Sequence, residues 1–206
     1  MILKRLPAGI YAANCYIIGC NETKNAMIID PAGDEEKIIN TIKDLDLKVE
    51  GIILTHAHGD HIGALKKLKS YFNVPIMLHE SDKYLLEDSN KNLSKQMSME
   101  DVEITPDVLL KDKENINIGK LKAEIIHTPG HTKGSISIKV DESVITGDTL
   151  FTGSIGRTDL LGGSFEEIIN SIKNKLMVLD DNTKVYPGHG PSSTIEKERK
   201  TNPFIK

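Results

Sequence analysis

The sequence has no tryptophan, only two cysteines and 4% aromatic residues, so aliphatic side chains must supply most of any core. A lone pair of cysteines in a chain of 206 residues is typical of a reduced compartment rather than a disulfide framework. We therefore expect Cys15 and Cys20 to be small buried residues. No apolar run reaches the roughly 18 residues of a membrane helix, and the first residues lack the long apolar centre of a signal peptide. These absences predict a cytoplasmic protein with no membrane partner.

Clustered positive charge is also missing. The net charge is −4, and no block of lysine and arginine is interleaved with aromatic residues, so we expect no nucleic-acid partner. The hydrophobic fraction of 38% and the charged fraction of 27% are ordinary for a soluble globular protein. The sequence shows no repeat, linker or low-complexity block, so we predict a single domain over residues 1–206. The oligomeric state stays open.

Hydrophobic periodicity predicts strands and helices in alternation, which indicates the α/β class. In the first half we predict strands at 14–20, 25–30, 48–55 and 74–79, and helices at 34–47 and 61–72. In the second half we predict strands at 116–128, 135–140, 143–148 and 183–189, with helices at 164–176 and 193–206. Ser164 is the expected N-cap of the helix that follows it, and 135–140 with 143–146 is an expected hairpin. Residues 80–106 are polar with a short helical piece, so they either border a site or form a solvated loop, and whether they form a lid stays open.

Three histidines and an aspartate crowd into the six residues "HAHGDH" after the apolar run "GIILT": His56, His58, Asp60 and His61. On an extended backbone His56 and His58 point to the same side, so both imidazoles can bind one ion. Gly59 permits the bend into the next helix, which redirects Asp60 and His61 towards a second ion. A surface histidine or an Asp60 helix N-cap are the alternatives. Four nitrogen and oxygen donors in one turn favour a transition-metal site.

Further donors follow other predicted strands, each beside a glycine. His131 lies in "TPGHTKG", Asp148 in "ITGDTL" and His189 in "YPGHGP". Ligands at the ends of several strands converge on one edge of an α/β sheet. We expect the remaining histidines, His79 and His127, to be structural.

Together these residues resemble the metallo-β-lactamase superfamily, whose pattern is H-x-H-x-D-H followed by His, Asp and His, with an earlier Asp at a strand end. The resemblance runs from about residue 12 to residue 190 and implies an αββα sandwich, with two central mixed sheets flanked by helices. It also implies two divalent ions, most readily Zn²⁺, with Fe or Mn as options. The residues it assigns are His56, His58 and His131 for the first ion, Asp60, His61 and His189 for the second, Asp148 as the bridge, and Asp30 as the residue that orients a ligand histidine.

Within the superfamily the sequence is most similar to short glyoxalase II-like hydrolases, through "LFTGSIGRTDL" at 150–160. Other branches fit less well, because the commonest β-lactamases have Cys at the Asp148 position and di-iron flavoproteins have Glu at the His58 position. Full-length glyoxalase II adds a C-terminal glutathione-binding domain that this sequence lacks, and "GHGP" replaces its "GHEY". Glutathione is therefore not implied as the carrier.

The resemblance implies a dinuclear hydrolase that cleaves a small thioester or acyl substrate. A water that bridges two ions loses its proton near neutral pH, and the hydroxide attacks the carbonyl carbon. Asp60 is both a candidate ligand and the candidate catalytic residue that orients this nucleophile. Lys133 and Arg157 are candidates to bind an anionic substrate, although Lys133 could be solvated and Arg157 could pair with Asp159. The alternatives are a mononuclear iron enzyme like the persulfide dioxygenases, which share "GRTD", and a metal-holding domain without activity.

Overall fold

The structure is a computed structural model that describes residues 1–97 and 100–205. Residues 98 and 99, within the predicted 80–106 segment, and residue 206, at the end of the predicted last helix, lie outside the described residues. The single domain predicted for residues 1–206 stays a prediction.

The first sheet has six strands in chain order, and it is antiparallel at its start and parallel from its third strand onward. Its strands are β1 (Ile2–Ala8), β2 (Ala13–Gly19), β3 (Asn25–Ile29), β4 (Lys48–Ile53), β5 (Ile76–His79) and β6 (Val108–Leu110). The edge strands β1 and β6 were not predicted. Lys4, Arg5 and Pro7 interrupt the apolar pattern of β1, as charged and proline residues commonly do at a sheet edge.

The second sheet has the order β14-β13-β10-β9-β8-β7, in which β10 and β13 are parallel and the other pairs antiparallel. Its strands are β7 (Asn115–Ile118), β8 (Leu121–His127), β9 (Ile136–Val140), β10 (Ser143–Gly147), β13 (Lys184–Pro187) and β14 (Ser193–Thr194). A small hairpin of β11 (Leu150–Phe151) and β12 (Ser154–Ile155) stands apart. The predicted β9–β10 hairpin is confirmed.

Three apolar clusters define the layers, and β2 shows how the sequence builds them. Cys15 and Ile17 face a cluster shared with the helices on the first sheet, whereas Tyr16 and Ile18 face a cluster shared with Ile125 and other residues of the second sheet. Alternate residues of a strand point to opposite faces, so every residue of β2 is buried. A third cluster lies between the second sheet and the helices outside it. The αββα sandwich is therefore confirmed.

The helices follow the predicted segments with shorter or broken courses. They are α1 (Glu35–Asp44), α2 (Gly59–Ile62), α3 (Leu65–Phe72), α4 (Lys83–Leu86), α5 (Phe165–Ser171) and α6 (Ile195–Thr201). The single helix predicted at 61–72 is wrong, because the backbone N–H of Ala64 donates to the carbonyl of Pro31 at 2.9 Å and separates α2 from α3. After α5 the predicted helix continues as a π-helical turn, Ile172–Leu176. The Ser164 N-cap is confirmed, since its hydroxyl accepts from the backbone of Glu167 at 3.3 Å.

The described residues of the segment 80–106, which are 80–97 and 100–106, pack against the fold, which contradicts a solvated loop. Leu85, Leu86, Asn92 and Val102 are buried within it, and it contains α4 and two short 3₁₀ helices, Glu80–Asp82 and Ser94–Met97. Among the described residues, no helix has the length and apolar character to cross a membrane.

Candidate metal centre

The donor side chains predicted from the sequence come together where strands of both sheets end. Asp30 follows β3, His56 and His58 follow β4, and Asp60 and His61 lie in α2. Across the gap, Asp148 directly follows β10, and His131 and His189 lie in the turns after β8 and β13. His58, rather than Asp60, is the N-cap residue of α2, so Asp60 is free of the capping role.

Three histidines form one compact group at the buried side of the centre. One ligand atom each from His56, His58 and His131 lies within 4.8 Å of the others. Nδ1 of His58 is 2.9 Å from Nε2 of His131. Nδ1 of His131 donates to the carbonyl of Arg157 at 2.8 Å, so its Nε2 carries a lone pair that faces the centre. The three rings are 1–3% exposed.

A second group, of Asp60, His61 and His189, lies beside the first and is more open to solvent. Nε2 of His189 is 3.1 Å from Oδ2 of Asp60 and 3.3 Å from Nε2 of His61. The side chain of His61 is fully buried, whereas those of Asp60 and His189 are 14% and 30% exposed. Two of the three side chains of the second group are therefore partly open to solvent.

Asp148 lies between the two groups. Its Oδ1 is 3.3 Å from Nε2 of His61, and its Oδ2 is 3.8 Å from Nε2 of His131 and 3.7 Å from Nε2 of His189. The approach depends on Gly188, because a Cβ there would lie 2.1 Å from Oδ1 of Asp148. One carboxylate thus contacts histidines of both groups.

Asp30 orients two candidate ligands, His61 directly and His56 through Thr55. Its Oδ2 accepts from Nδ1 of His61 at 3.0 Å and from the Thr55 hydroxyl at 2.6 Å, and its Oδ1 accepts from the Thr55 backbone at 2.7 Å. Nδ1 of His56 donates in turn to the Thr55 hydroxyl at 3.2 Å. The hydrogen-bond network therefore assigns the proton of both rings to Nδ1 and leaves Nε2 towards the centre.

The pKa values reflect this crowding. Burial lowers the pKa of His58 to about 3, and burial together with the neighbouring imidazoles lowers the pKa of His56, so both rings are neutral at pH 7. Burial opposes ionisation of Asp60, but the hydrogen bond from His189 and nearby imidazoles outweigh it and hold its pKa well below the usual range. Burial likewise lowers the pKa of His61, but Asp148 and Asp30 outweigh that effect and raise it.

The arrangement fits a pair of cations. Nε2 of His56 and Oδ1 of Asp148 are buried and have no hydrogen-bond partner among the described residues. Buried polar atoms are normally satisfied, so two orphaned acceptors aimed at the same space call for a positive charge there. Imidazole nitrogens and carboxylate oxygens are ligands that Zn²⁺ and Fe²⁺ accept. The proton on His61 is the one that a bound ion would replace.

Sequence reasoning missed Asp82, which ties the two histidine loops together. Its Oδ2 accepts from the Thr132 hydroxyl and its Oδ1 from the Gly134 backbone, both at 2.7 Å, next to His131 in the chain. A hydrogen bond from the backbone of Ala57, between His56 and His58, also favours the ionised form of Asp82. Asp82 is fully buried, yet it lies in the polar stretch "ESDK", where nothing in the sequence separates it from surface acids.

A cavity of about 190 Å³ opens onto the centre. Besides candidate ligands it is lined by Tyr11, Leu93, Met97, Arg157 and Leu160. Arg157 forms the expected ion pair, with Nε 2.7 Å from Oδ1 of Asp159, and both side chains are more than half exposed. Lys133 is exposed and is not among the lining residues.

The two remaining histidines lie outside this cavity and pack on each other. The rings of His79 and His127 stack at 3.9 Å with an interplanar angle of 11°. Nε2 of His127 donates to the carbonyl of Lys133 at 2.8 Å, so the pair supports the loop that carries His131.

Comparison with known proteins agrees with this geometry. The family model of the metallo-beta-lactamase superfamily matches residues 8–189. The chain is 40% identical to "Probable metallo-hydrolase YqgX" of Bacillus subtilis (strain 168), over 98% of this chain and 96% of that protein. It is 39% identical to "Hydroxyacylglutathione hydrolase GloC" of Haemophilus influenzae, over 100% of this chain and 98% of that protein.

Two solved structures are similar over nearly the whole chain. The crystal structure of BLEG-1 B3 metallo-beta-lactamase superposes with a TM-score of 0.93 at 38% identity, over 100% of both chains. TTHA1623 in a di-iron-bound form superposes with a TM-score of 0.86 at 31% identity, over 98% of this chain and 99% of that one. The match over residues 8–189, the αββα sandwich and the clustered histidines and aspartates show that this chain belongs to the metallo-beta-lactamase superfamily.

Proposed function

We propose that the chain is a dinuclear metal hydrolase that cleaves small thioesters, as glyoxalase II-like enzymes do. The observation that carries the proposal is the position of Asp148, within 3.3–3.8 Å of histidines from both donor groups. In this assignment the ligands are His56, His58 and His131 for one ion, Asp60, His61 and His189 for the other, and Asp148 for both. A carboxylate shared by two donor groups is what a two-metal centre needs and a one-metal centre does not.

Two ions held there would supply Lewis acidity for the carbonyl oxygen and lower the pKa of water from about 15.7 towards 7. Asp60 stays ionised, so its carboxylate can accept a hydrogen bond from the attacking water and orient it. Asp30 keeps Nε2 of His61 turned towards the centre. A leaving thiol has a pKa near 8.5, so the reaction needs little help from a general acid.

The metal is proposed to be zinc, and iron is the main competitor. The three-histidine and histidine–carboxylate donor sets accept either metal, and the relative TTHA1623 was solved in a di-iron-bound form. The substrate is proposed to be a small, diffusible thioester in a reducing, cytoplasmic setting, which the two free cysteines support. Likeness to GloC of Haemophilus influenzae supports the thioester, and likeness to BLEG-1 makes a β-lactam amide a substrate to include in the assay.

The decisive experiment pairs metal analysis with turnover. Protein purified without added metal should contain about two equivalents of a transition metal and hydrolyse at least one thioester of a broad panel, and a chelator should abolish turnover. In Asp148→Asn the second equivalent should be lost and turnover should fall by about 100-fold. Asp141→Asn, which makes the same change at an exposed residue before β10, is the matched control. Full metal content with no turnover across the panel would refute the thioesterase.

One specific observation supports the alternative of a mononuclear iron enzyme. "GRTD" lies at 156–159, and the Arg157 carbonyl in it accepts from His131 at 2.8 Å, so this segment orients a candidate ligand. One equivalent of iron, with oxygen consumed and sulfite formed from a persulfide, would favour this reading over hydrolysis.

A further inference from the structure

One wall of the cavity is fixed directly to the ligand loop. The backbone N–H of Gly59 donates to the carbonyl of Asn92 at 2.7 Å. A Cβ on Gly59 would lie 2.9 Å from the backbone of Ser94 and 3.0 Å from Sδ of Met97, so this approach requires glycine. The turn 92–97 therefore packs onto the start of α2, immediately before Asp60.

Internal hydrogen bonds hold this turn in one conformation. The buried side chain of Asn92 donates to the carbonyls of Leu85 at 3.1 Å and Val102 at 2.8 Å, and its Oδ1 accepts from the backbone of Ser94 at 2.9 Å. The backbone of Val102 donates to the Ser94 hydroxyl at 3.0 Å. A turn tied to its own segment and to the ligand loop presents its side chains in a defined place.

Leu93 is in an unusual backbone conformation at this place. Its φ is +70°, in the left-handed region that few residues besides glycine, asparagine and aspartate adopt. Its side chain and that of Met97 line the cavity beside His58 and Asp60. Strained conformations of this kind persist where surrounding structure imposes them, and they concentrate at ligand sites.

Apart from the candidate ligands and Arg157, the cavity is lined by apolar or aromatic residues, and it is small. Tyr11 and Leu160 line it, and the charge of Arg157 is compensated by Asp159. Its volume of about 190 Å³ is below the roughly 300–1,000 Å³ typical of pockets for drug-sized ligands. A polar carrier would lose its hydration in such a space, whereas a short hydrocarbon chain would gain from burial there.

We propose that Leu93 and Met97 are specificity-determining residues of this site. They form an apolar wall that receives the acyl chain of the substrate and limits it to a short one, while the carrier thiol extends to solvent. This inference rests on the proposed function in one respect, that the substrate is an acyl compound.

The test measures chain-length selectivity in Leu93→Ala and Met97→Ala, with Lys95→Ala as the control from the exposed side of the same turn. Thioesters of one thiol with straight acyl chains of increasing length give kcat/KM for each enzyme. In the wild type kcat/KM should fall steeply beyond a short chain. Each wall variant should raise kcat/KM for the longer chains about tenfold relative to the acetyl ester, because one methylene in an apolar pocket changes it at least that much. Lys95→Ala should keep the wild-type profile.

A binding series separates this inference from the proposed activity. Straight-chain carboxylates of the same lengths are titrated into the metal-loaded proteins by calorimetry, which needs no turnover. If the wall variants bind longer carboxylates than the wild type does, the inference about Leu93 and Met97 is supported. This holds even if no thioester is hydrolysed, in which case only the proposed function fails. If both folded variants keep the wild-type dependence on chain length, the inference is overturned. It is also overturned if the variants differ from the wild type only in a series of thioesters in which the acyl group is fixed and the thiol varies.

Discussion

Asp30 acts on the centre through His61. Its backbone φ is +51°, and its carboxylate accepts three hydrogen bonds, from Nδ1 of His61 and twice from Thr55. Aspartate tolerates the left-handed region better than most residues, so a strand end can turn sharply there and still present a carboxylate. The orientation of a histidine on α2 is thus decided by the residue that directly follows β3.

Asp30→Asn should weaken binding of one metal equivalent by about 10–100-fold, because the amide NH₂ no longer favours the Nδ1–H tautomer of His61. Competition with a chromophoric chelator measures this. Asp46→Asn is the matched control, since Asp46 is exposed and has nearly the same φ of +52°. Equal affinities for all three proteins would show that Asp30 does not orient a ligand.

Leu93 permits a test of backbone strain by two substitutions that remove almost the same side chain. Leu93→Gly should have a free energy of unfolding about 1 kcal/mol higher than Leu93→Ala, because glycine adopts φ +70° without penalty. In an ordinary helix the order is reversed by about the same amount. Urea denaturation measures the free energy of unfolding of both variants. If Leu93→Ala is the more stable of the two, the backbone at residue 93 is not strained.

Among the elements, the short helical segment around Asp82 connects parts of the chain that the sheets leave apart. Asp82 lies between the loop after β4 and the loop after β8, and it bonds to Thr132 and Gly134. The same segment continues to the turn that packs on Gly59. The positions of loops that follow strands of both sheets therefore depend on one segment that lies outside the sheets.

Burial raises the pKa of Asp82 to about 6, although its hydrogen bonds oppose the shift. An unfolded aspartate has a pKa of about 3.9, so between pH 4 and 6 the folded chain binds more protons than the unfolded one. The contribution of Asp82 to the free energy of unfolding must fall as pH rises through this window and level off above it.

Asp82→Asn removes this titration, so the difference in stability between wild type and variant should change by about 2–3 kcal/mol between pH 4 and pH 7. Denaturant unfolding of metal-free protein at several pH values measures it. Glu87→Gln, an exposed acid on the same segment, should leave the pH profile unchanged. A pH-independent difference between wild type and Asp82→Asn would exclude a raised pKa.

In the whole molecule the centre is where the two sheets meet at one end of the sandwich. His56, His58 and His61 belong to the first half of the chain, whereas His131, Asp148 and His189 belong to the second. The inter-sheet core, with Ile29 and Ile53 facing Ile136 and Ile145, holds these halves together below the donors. A ligand that contacts both halves therefore stabilises the complete fold.

Metal should raise the free energy of unfolding by about 2.7 kcal/mol when its free concentration is 100 times Kd. Thermal unfolding with added zinc and with chelator measures the shift. Asp141→Asn, which changes an exposed residue away from the centre, should respond as the wild type does, whereas His131→Gln should lose most of the effect. An unchanged midpoint in wild-type protein that demonstrably binds metal would contradict a site shared by both halves.

Much of the architecture was predictable because its signals are local. The apolar run of β2 and the Ser164 cap need only near neighbours in the chain, and the three histidines in "HAHGDH" are recognisable from the sequence alone. The strand-end rule then identified His131, Asp148 and His189 as partners, and the structure brings them into contact distance. The edge strand β1 escaped prediction because charged and proline residues interrupt its apolar pattern. The break after α2 escaped prediction because it depends on Pro31, which is distant in sequence.

By itself the sequence determined the donor types, their order and the strands that carry them, because these follow from residue chemistry and short-range periodicity. Only the tertiary structure decided that Asp82 is a buried link rather than a surface acid, and that Leu93 and Met97 line the cavity beside the donors. The reason is physical: burial and close approach, such as that of Gly59 to Ser94, depend on packing between segments more than thirty residues apart, and no local pattern encodes that distance.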